Sequence, residues 1–79
     1  MIQLAPRVTV DQNVCSGKPV IAGTRVPVSL VIGQLAAGET SQTIQFEYGL
    51  TAEDVLAALA YAAKVLSDSE PSPRDDTVE

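Results

Sequence analysis

The residues of this chain best equipped for chemistry are five cations and ten carboxylates, with one cysteine and no histidine. Without an imidazole there is no Ser-His or Cys-His pair and no histidine-based metal site. Cys15 has no second cysteine to pair with, so it says nothing about an oxidising compartment. Gly17-Lys18 superficially matches the end of a phosphate-binding loop. That loop needs a glycine five positions earlier and Ser or Thr after the lysine, and Gln12 and Pro19 stand there instead. Glu53 and Asp54 fit helix capping, and Glu39 and Glu47 fall near helix ends, so no paired carboxylates suggest hydrolysis. A catalytic site, a metal and a cofactor are all unexpected.

What remains is binding by charge. Net charge is −5, and it is unevenly placed. Arg7, Lys18 and Arg25 outweigh Asp11 in residues 1–28, whereas Asp68, Glu70, Asp75, Asp76 and Glu79 outweigh Arg74 at the other end. The basic end supplies the candidate nucleic-acid contacts, Arg7, Lys18 and Arg25, because phosphate affinity rests on Lys and Arg. The acidic end supplies candidate partner contacts, Asp68, Glu70, Asp75 and Asp76, for a basic groove. Arg25 stands out, since a guanidinium between a turn and a proline has no backbone role. It calls for a carboxylate such as Asp11 or Glu47, a partner subunit, or a phosphate.

Three helices are expected to carry these groups. Pro27 suits a first helical position, Val28, Val31, Ile32 and Leu35 form one apolar stripe, and Gly38 is placed for a left-handed C-terminal residue. A short second helix capped by Thr40 or Ser41 runs to about Tyr48, with Ile44 and Tyr48 on one face. Gly49-Leu50 then turns the chain into a third helix, Ala52 to Leu66. Thr51 caps that helix, and Asp54 completes a capping box. Its expected buried face is Val55, Leu56, Leu59, Ala62, Ala63 and Leu66. The small residues Ala57, Ala58 and Ala60 suggest a second subunit on its other side. The spacing of the second and third helices is compatible with a helix-turn-helix.

Upstream, Val8-Thr9-Val10 and Pro19-Val20-Ile21 read as two short strands separated by turn chemistry. A lone ribbon is barely stable in water, so the arm is expected to pair with that of another copy. The tail from Ser67 carries two prolines, dense charge and little apolar content, which predicts disorder. The expected organisation is thus a β arm and dimerisation segment over 1–26, a three-helix unit over 27–67 and an acidic tail over 68–79. The fold class is mainly α. With 46% hydrophobic residues and only three aromatics, the core must be aliphatic side chains and alanine. No apolar run approaches the roughly 18 residues of a membrane span, and no secretory pattern opens the chain. A cytoplasmic location follows as an expectation.

The string Cys15-x-Gly-Lys-Pro-x-Ile-x-Gly-Thr-Arg-x-Pro-Val28 resembles a family of short prokaryotic proteins known as domain of unknown function 433, similar to VapB-type antitoxins. The resemblance continues through Ala36-Ala37-Gly38, Tyr48-Gly49-Leu50-Thr51, Glu53-Asp54-Val55 and Ala57 to Ala62. It implies a homeodomain-like helical fold behind a β arm, a homodimer, and a PIN-like ribonuclease toxin as partner. It also implies blockade of that toxin's active site, with repression of the protein's own promoter through operator DNA. One departure is Gln42 to Glu47, which lacks the acidic pair often found at that helix start and carries Phe46 where a polar residue is usual. The alternatives are a DNA-binding regulator and a homodimeric scaffold, with neither a membrane nor a small-molecule substrate involved.

Overall fold

A computed structural model of the chain describes residues 1–70. Three helices pack against a small antiparallel sheet. The strands are β1 (Ile2–Ala5), β2 (Val8–Val10) and β3 (Val20–Ile21), in the order β1-β2-β3. The helices are α1 (Val28–Ala36), α2 (Ser41–Tyr48) and α3 (Ala52–Ser69).

The sheet has one strand more than the two expected. Ile2, Gln3 and Ala5 stand opposite Val10, Thr9 and Val8, with a register shift between Gln3 and Ala5. Pro6 and Arg7 make the reversal, and Arg7 adopts φ 63°, the positive value a type II turn needs at its second central position. On the other side Val8 faces Ile21 and Thr9 faces Val20. The sheet is not a free-standing ribbon. Val8 and Ile21 are fully buried among residues of all three helices, so its inner face is covered within the chain.

The helix boundaries follow their caps. Pro27, extended at ψ 142°, precedes α1 rather than opening it. At the far end Gly38 takes φ 98°, its N–H donates to Leu35 O, and the N–H of Glu39 reaches Gln34 O. These are the two closing bonds of a Schellman motif. Thr40 caps α2 by accepting from the Thr43 N–H, and Gly49 at φ 67° ends it. Thr51 and Asp54 exchange both bonds of the capping box at the start of α3. That helix runs three residues past Leu66, taking in Ser67, Asp68 and Ser69, where a disordered tail was expected. The reason is local: Lys64 and Asp68, one turn apart, form an ion pair at 3.2 Å, and the Ser69 hydroxyl donates to Val65 O.

The core consists of Val8, Ile21, Val28, Val31, Ile44, Leu50, Val55 and Ala58, aliphatic throughout, with Tyr48 and Tyr61 at its margin. The stripes expected on α1 and α2 are the observed ones: Val28, Val31 and Ile44 are buried, and Ile32, Leu35 and Tyr48 are half-buried. On α3 the burial differs from expectation. Val55 and Ala58 are buried and Ala62 is half-buried, but Leu56 and Leu66 are 65% and 62% exposed and Leu59 is also exposed. The backbone of α3 approaches the core so closely that a methyl group suffices at position 58, and this turns the leucine row outward.

Candidate functional site

The segment from Cys15 to Val28 folds as two linked turns. Cys15, Ser16 and Gly17 all adopt positive φ, at 50°, 57° and 81°. A second turn is closed by the Ile21 N–H donating to Val26 O at 3.0 Å. Thr24 cinches it from inside: its hydroxyl donates to Ile21 O at 2.7 Å and accepts from the Val26 N–H at 3.0 Å. Gly23, at φ 77°, supplies the backbone conformation that lets Thr24 reach both. The two turns are tied together where the Cys15 thiol donates to Arg25 O at 3.2 Å. Cys15, Gly17, Gly23 and Thr24 therefore all serve backbone geometry.

Of the three basic residues singled out above, Arg7 is engaged. Its Nη1 lies 3.0 Å from Asp54 Oδ1, joining the β1–β2 turn to the start of α3. The Asp54 carboxyl is largely covered, and burial alone would raise its pKa. Hydrogen bonds from the Thr51 backbone N–H, the Arg7 guanidinium and the Thr51 side chain, with the charge of Arg7, outweigh this and hold it below the ordinary carboxylate value. The long-range ion pair is thus made by Arg7, with Asp54, and not by Arg25 with Asp11 or Glu47. The exposed guanidinium of Arg25 makes no hydrogen bond or ion pair with Asp11, Glu47 or any other described residue.

The fold does not gather the three cations. Arg25 borders a shallow depression with Thr9, Asp11 and Val20, whereas Lys18 borders a separate groove against α1 and α3. Of the acidic residues, Asp68 is paired with Lys64 and Glu70 stands exposed at the end of α3. Asp75 and Asp76 lie outside the described residues. Among the described residues no group of three or more His, Cys, Asp or Glu is placed to hold a metal ion. No helix among them is long and apolar enough to cross a membrane.

Two apolar surfaces stand out more clearly than any charged one. The first is an open groove of about 620 Å³ between α1 and the C-terminal half of α3, walled by Pro19, Val28, Ile32, Tyr61, Val65 and Leu66, with Lys18 at its rim. The second is the outward row of α3, where Leu56, Leu59 and Leu66 are exposed. Phe46 on α2 is also bare, at 89%. Sequence periodicity detected the leucines but assigned them to the core, since two adjacent stripes on one helix share the same spacing. The groove had no local signal, because its walls come from three separate parts of the chain.

No curated protein matches the chain. Two solved structures resemble it. One is a DUF433 member protein from Anabaena variabilis, 30% identical, with a TM-score of 0.72 over 78% of this chain and 62% of that one. The other is Rv2018 from Mycobacterium tuberculosis, 38% identical, with a TM-score of 0.61 over 66% of this chain and 24% of that one. The chain thus spans less than two thirds of the length of either. The family described as protein of unknown function DUF433 matches residues 8–62, which takes in both turns, α1, α2 and the core-facing part of α3, and the chain belongs to that family.

Proposed function

We propose that the protein is a non-enzymatic, antitoxin-like binding subunit of the cytoplasm that seats and neutralises a PIN-like ribonuclease. The observation that carries this reading is the groove between α1 and α3. It is apolar and open, and Val28, Ile32 and Tyr61 in its wall belong to or pack against the core, as suits an aliphatic or helical segment of another protein. Val65 and Leu66 form its end, and Asp68 and Glu70 follow within one turn. A ribonuclease binds phosphates through a cationic surface. A partner seated in the groove would therefore meet acidic chain beside it.

Co-expression with the neighbouring reading frame tests this. The expected result is a stable complex, relief of growth inhibition and loss of RNA cleavage, all abolished by Ile32→Arg with the helical content unchanged. Failure of the two proteins to co-purify, together with no rescue of growth, would reject the reading.

A DNA-binding regulator is the second reading. It is favoured by the bare cationic heads of Lys18 and Arg25 and by the tight Gly49-Leu50-Thr51 turn between α2 and α3, which suits a homeodomain-like helix-turn-helix. Against it, the outer side of α3 offers leucine and alanine where base edges call for Arg, Lys, Asn or Gln, and Arg7 is already held by Asp54. Contacts would come from Lys18 and Arg25 and affect affinity more than sequence choice. A gel shift on the promoter at low salt, compared between wild type and Arg25→Ala, tests this, and absence of any shift removes it.

A further inference from the structure

Thr9 is only 7% exposed, and Val20, its partner across the sheet, only 3%, although neither belongs to the core cluster. Strand alternation explains this: Val8 and Ile21 point at the helices, so Thr9 and Val20 point to the opposite face of the sheet. There they border a depression of about 370 Å³ that Asp11 and Arg25 also border. The Thr9 hydroxyl makes no hydrogen bond with any described residue. Yet no sealed side-chain oxygen or nitrogen among them lacks a partner, so this hydroxyl is open, and the depression is what it opens into. The two charged groups do not neutralise each other. No ion pair joins Asp11 to Arg25, or either of them to any other described residue. Oδ1 of Asp11 accepts the Asn13 N–H, which leaves Oδ2 unengaged.

A simple anion drawn to Arg25 would meet the Asp11 carboxylate, and a simple cation drawn to Asp11 would meet the guanidinium. A molecule with both charges a few bonds apart has no such conflict. We infer that the depression is a binding site for a small zwitterion, an α-amino acid with a short aliphatic side chain. Its carboxylate pairs with the Arg25 guanidinium, whose planar fork suits that group, and its ammonium pairs with Asp11 Oδ2. The Thr9 hydroxyl, donor and acceptor at once, bonds either end. Val14 and Val20, the aliphatic part of the lining, receive the side chain. The space lies at the low end of small-ligand sites and admits one such molecule. Because Arg25 is exposed, affinity is in the millimolar range. The protein holds this ligand without transforming it. The depression shares no residue with the groove between α1 and α3, so this site and the proposed ribonuclease site stand or fall separately.

Amide chemical-shift mapping of the isotope-labelled full chain, titrated with L-valine, tests this. The amides of Thr9, Asp11, Gly23 and Arg25 should shift together and saturate, while those of Ile32 and Val65 in the groove stay in place. L-Valinamide, which lacks the carboxylate, and isovalerate, which lacks the ammonium, should each bind about tenfold more weakly or worse. Arg25→Ala and Asp11→Asn should each weaken L-valine by about tenfold with the melting curve unchanged, since the asparagine keeps an oxygen for the Asn13 N–H. Thr9→Val, which removes a hydroxyl that no described residue uses, should weaken it as well. Absence of shifts at tens of millimolar L-valine, equal binding of isovalerate, or stronger binding of inorganic phosphate at the same amides would each overturn the inference.

Discussion

Arg7 and Asp54 lie 47 positions apart in the chain and meet at 3.0 Å, fastening the turn of the first hairpin to the N-terminus of the last helix. The Asp54 carboxylate serves two ends of the structure: Oδ2 accepts the Thr51 N–H of the capping box, and Oδ1 accepts Arg7. Arg7→Ala should therefore lower stability by about 0.5–1 kcal/mol, as for a half-exposed ion pair. Asp54→Ala, which loses the cap as well, should cost about 1–2 kcal/mol. Urea unfolding of both variants checks this ordering, and equal losses would contradict it.

The same carboxylate makes stability depend on pH. Its folded pKa is depressed, so its contribution is complete above the unfolded value of about 3.9 and is lost as pH falls through the lower folded pKa. The stability gap between wild type and Asp54→Asn should stay constant from neutral pH down to about 4 and shrink below it. A gap that widened on acidification would be inconsistent with that sign.

Ile44 is fully buried and Leu56 is mostly exposed, although both are large aliphatic residues on helices. Ile44→Ala should cost about 2–5 kcal/mol. Leu56→Gln, measured at high dilution, should change stability by no more than about 0.5 kcal/mol. Ala58→Leu, which forces a larger side chain into a fully buried position of α3, should cost about 1–3 kcal/mol.

Two glycines should respond in opposite directions. Gly49 ends α2 at φ 67°, so Gly49→Ala incurs about 1–2 kcal/mol of left-handed strain. Gly33 lies inside α1, and a Cβ added there meets nothing within 4 Å, so Gly33→Ala should stabilise by about 0.5–1 kcal/mol. Thermal melts of the pair should shift in opposite senses.

Within the Gly23-Thr24-Arg25 stretch, neighbouring residues should behave differently. Thr24→Val removes both side-chain hydrogen bonds of the turn and should destabilise by about 1–3 kcal/mol. Arg25→Ala should leave the melting curve within about 0.5 kcal/mol of wild type, since its guanidinium supports nothing among the described residues. Any loss of ligand binding in that variant would then reflect the surface, not the fold.

Local chemistry determined a good deal in advance. Thr40, Gly38, Gly49 and the Thr51–Asp54 pair are capping residues whose effect depends on the few positions around them, so the stop of α1, both ends of α2 and the start of α3 were legible in the chain, whereas the end of α3 was not. The stripes of α1 and α2 were legible for the same reason, as each helix has one apolar face. The close match of Cys15–Val28 to turn geometry was equally local. What the sequence by itself could not decide is which of two equally spaced rows on α3 faces inward, because periodicity weighs leucine over alanine and contains no term for how near the backbone lies to its neighbours. The third strand was also missed. Ile2–Ala5 is largely exposed and gains its partner only through the hairpin that Arg7 turns. Tertiary structure alone joined Arg7 to Asp54, left the Arg25 head without Asp11 or Glu47, opened the groove between α1 and α3 and turned Leu56, Leu59 and Leu66 to the outside. Each of these outcomes depends on distances between segments far apart in the chain, which no spacing along it encodes.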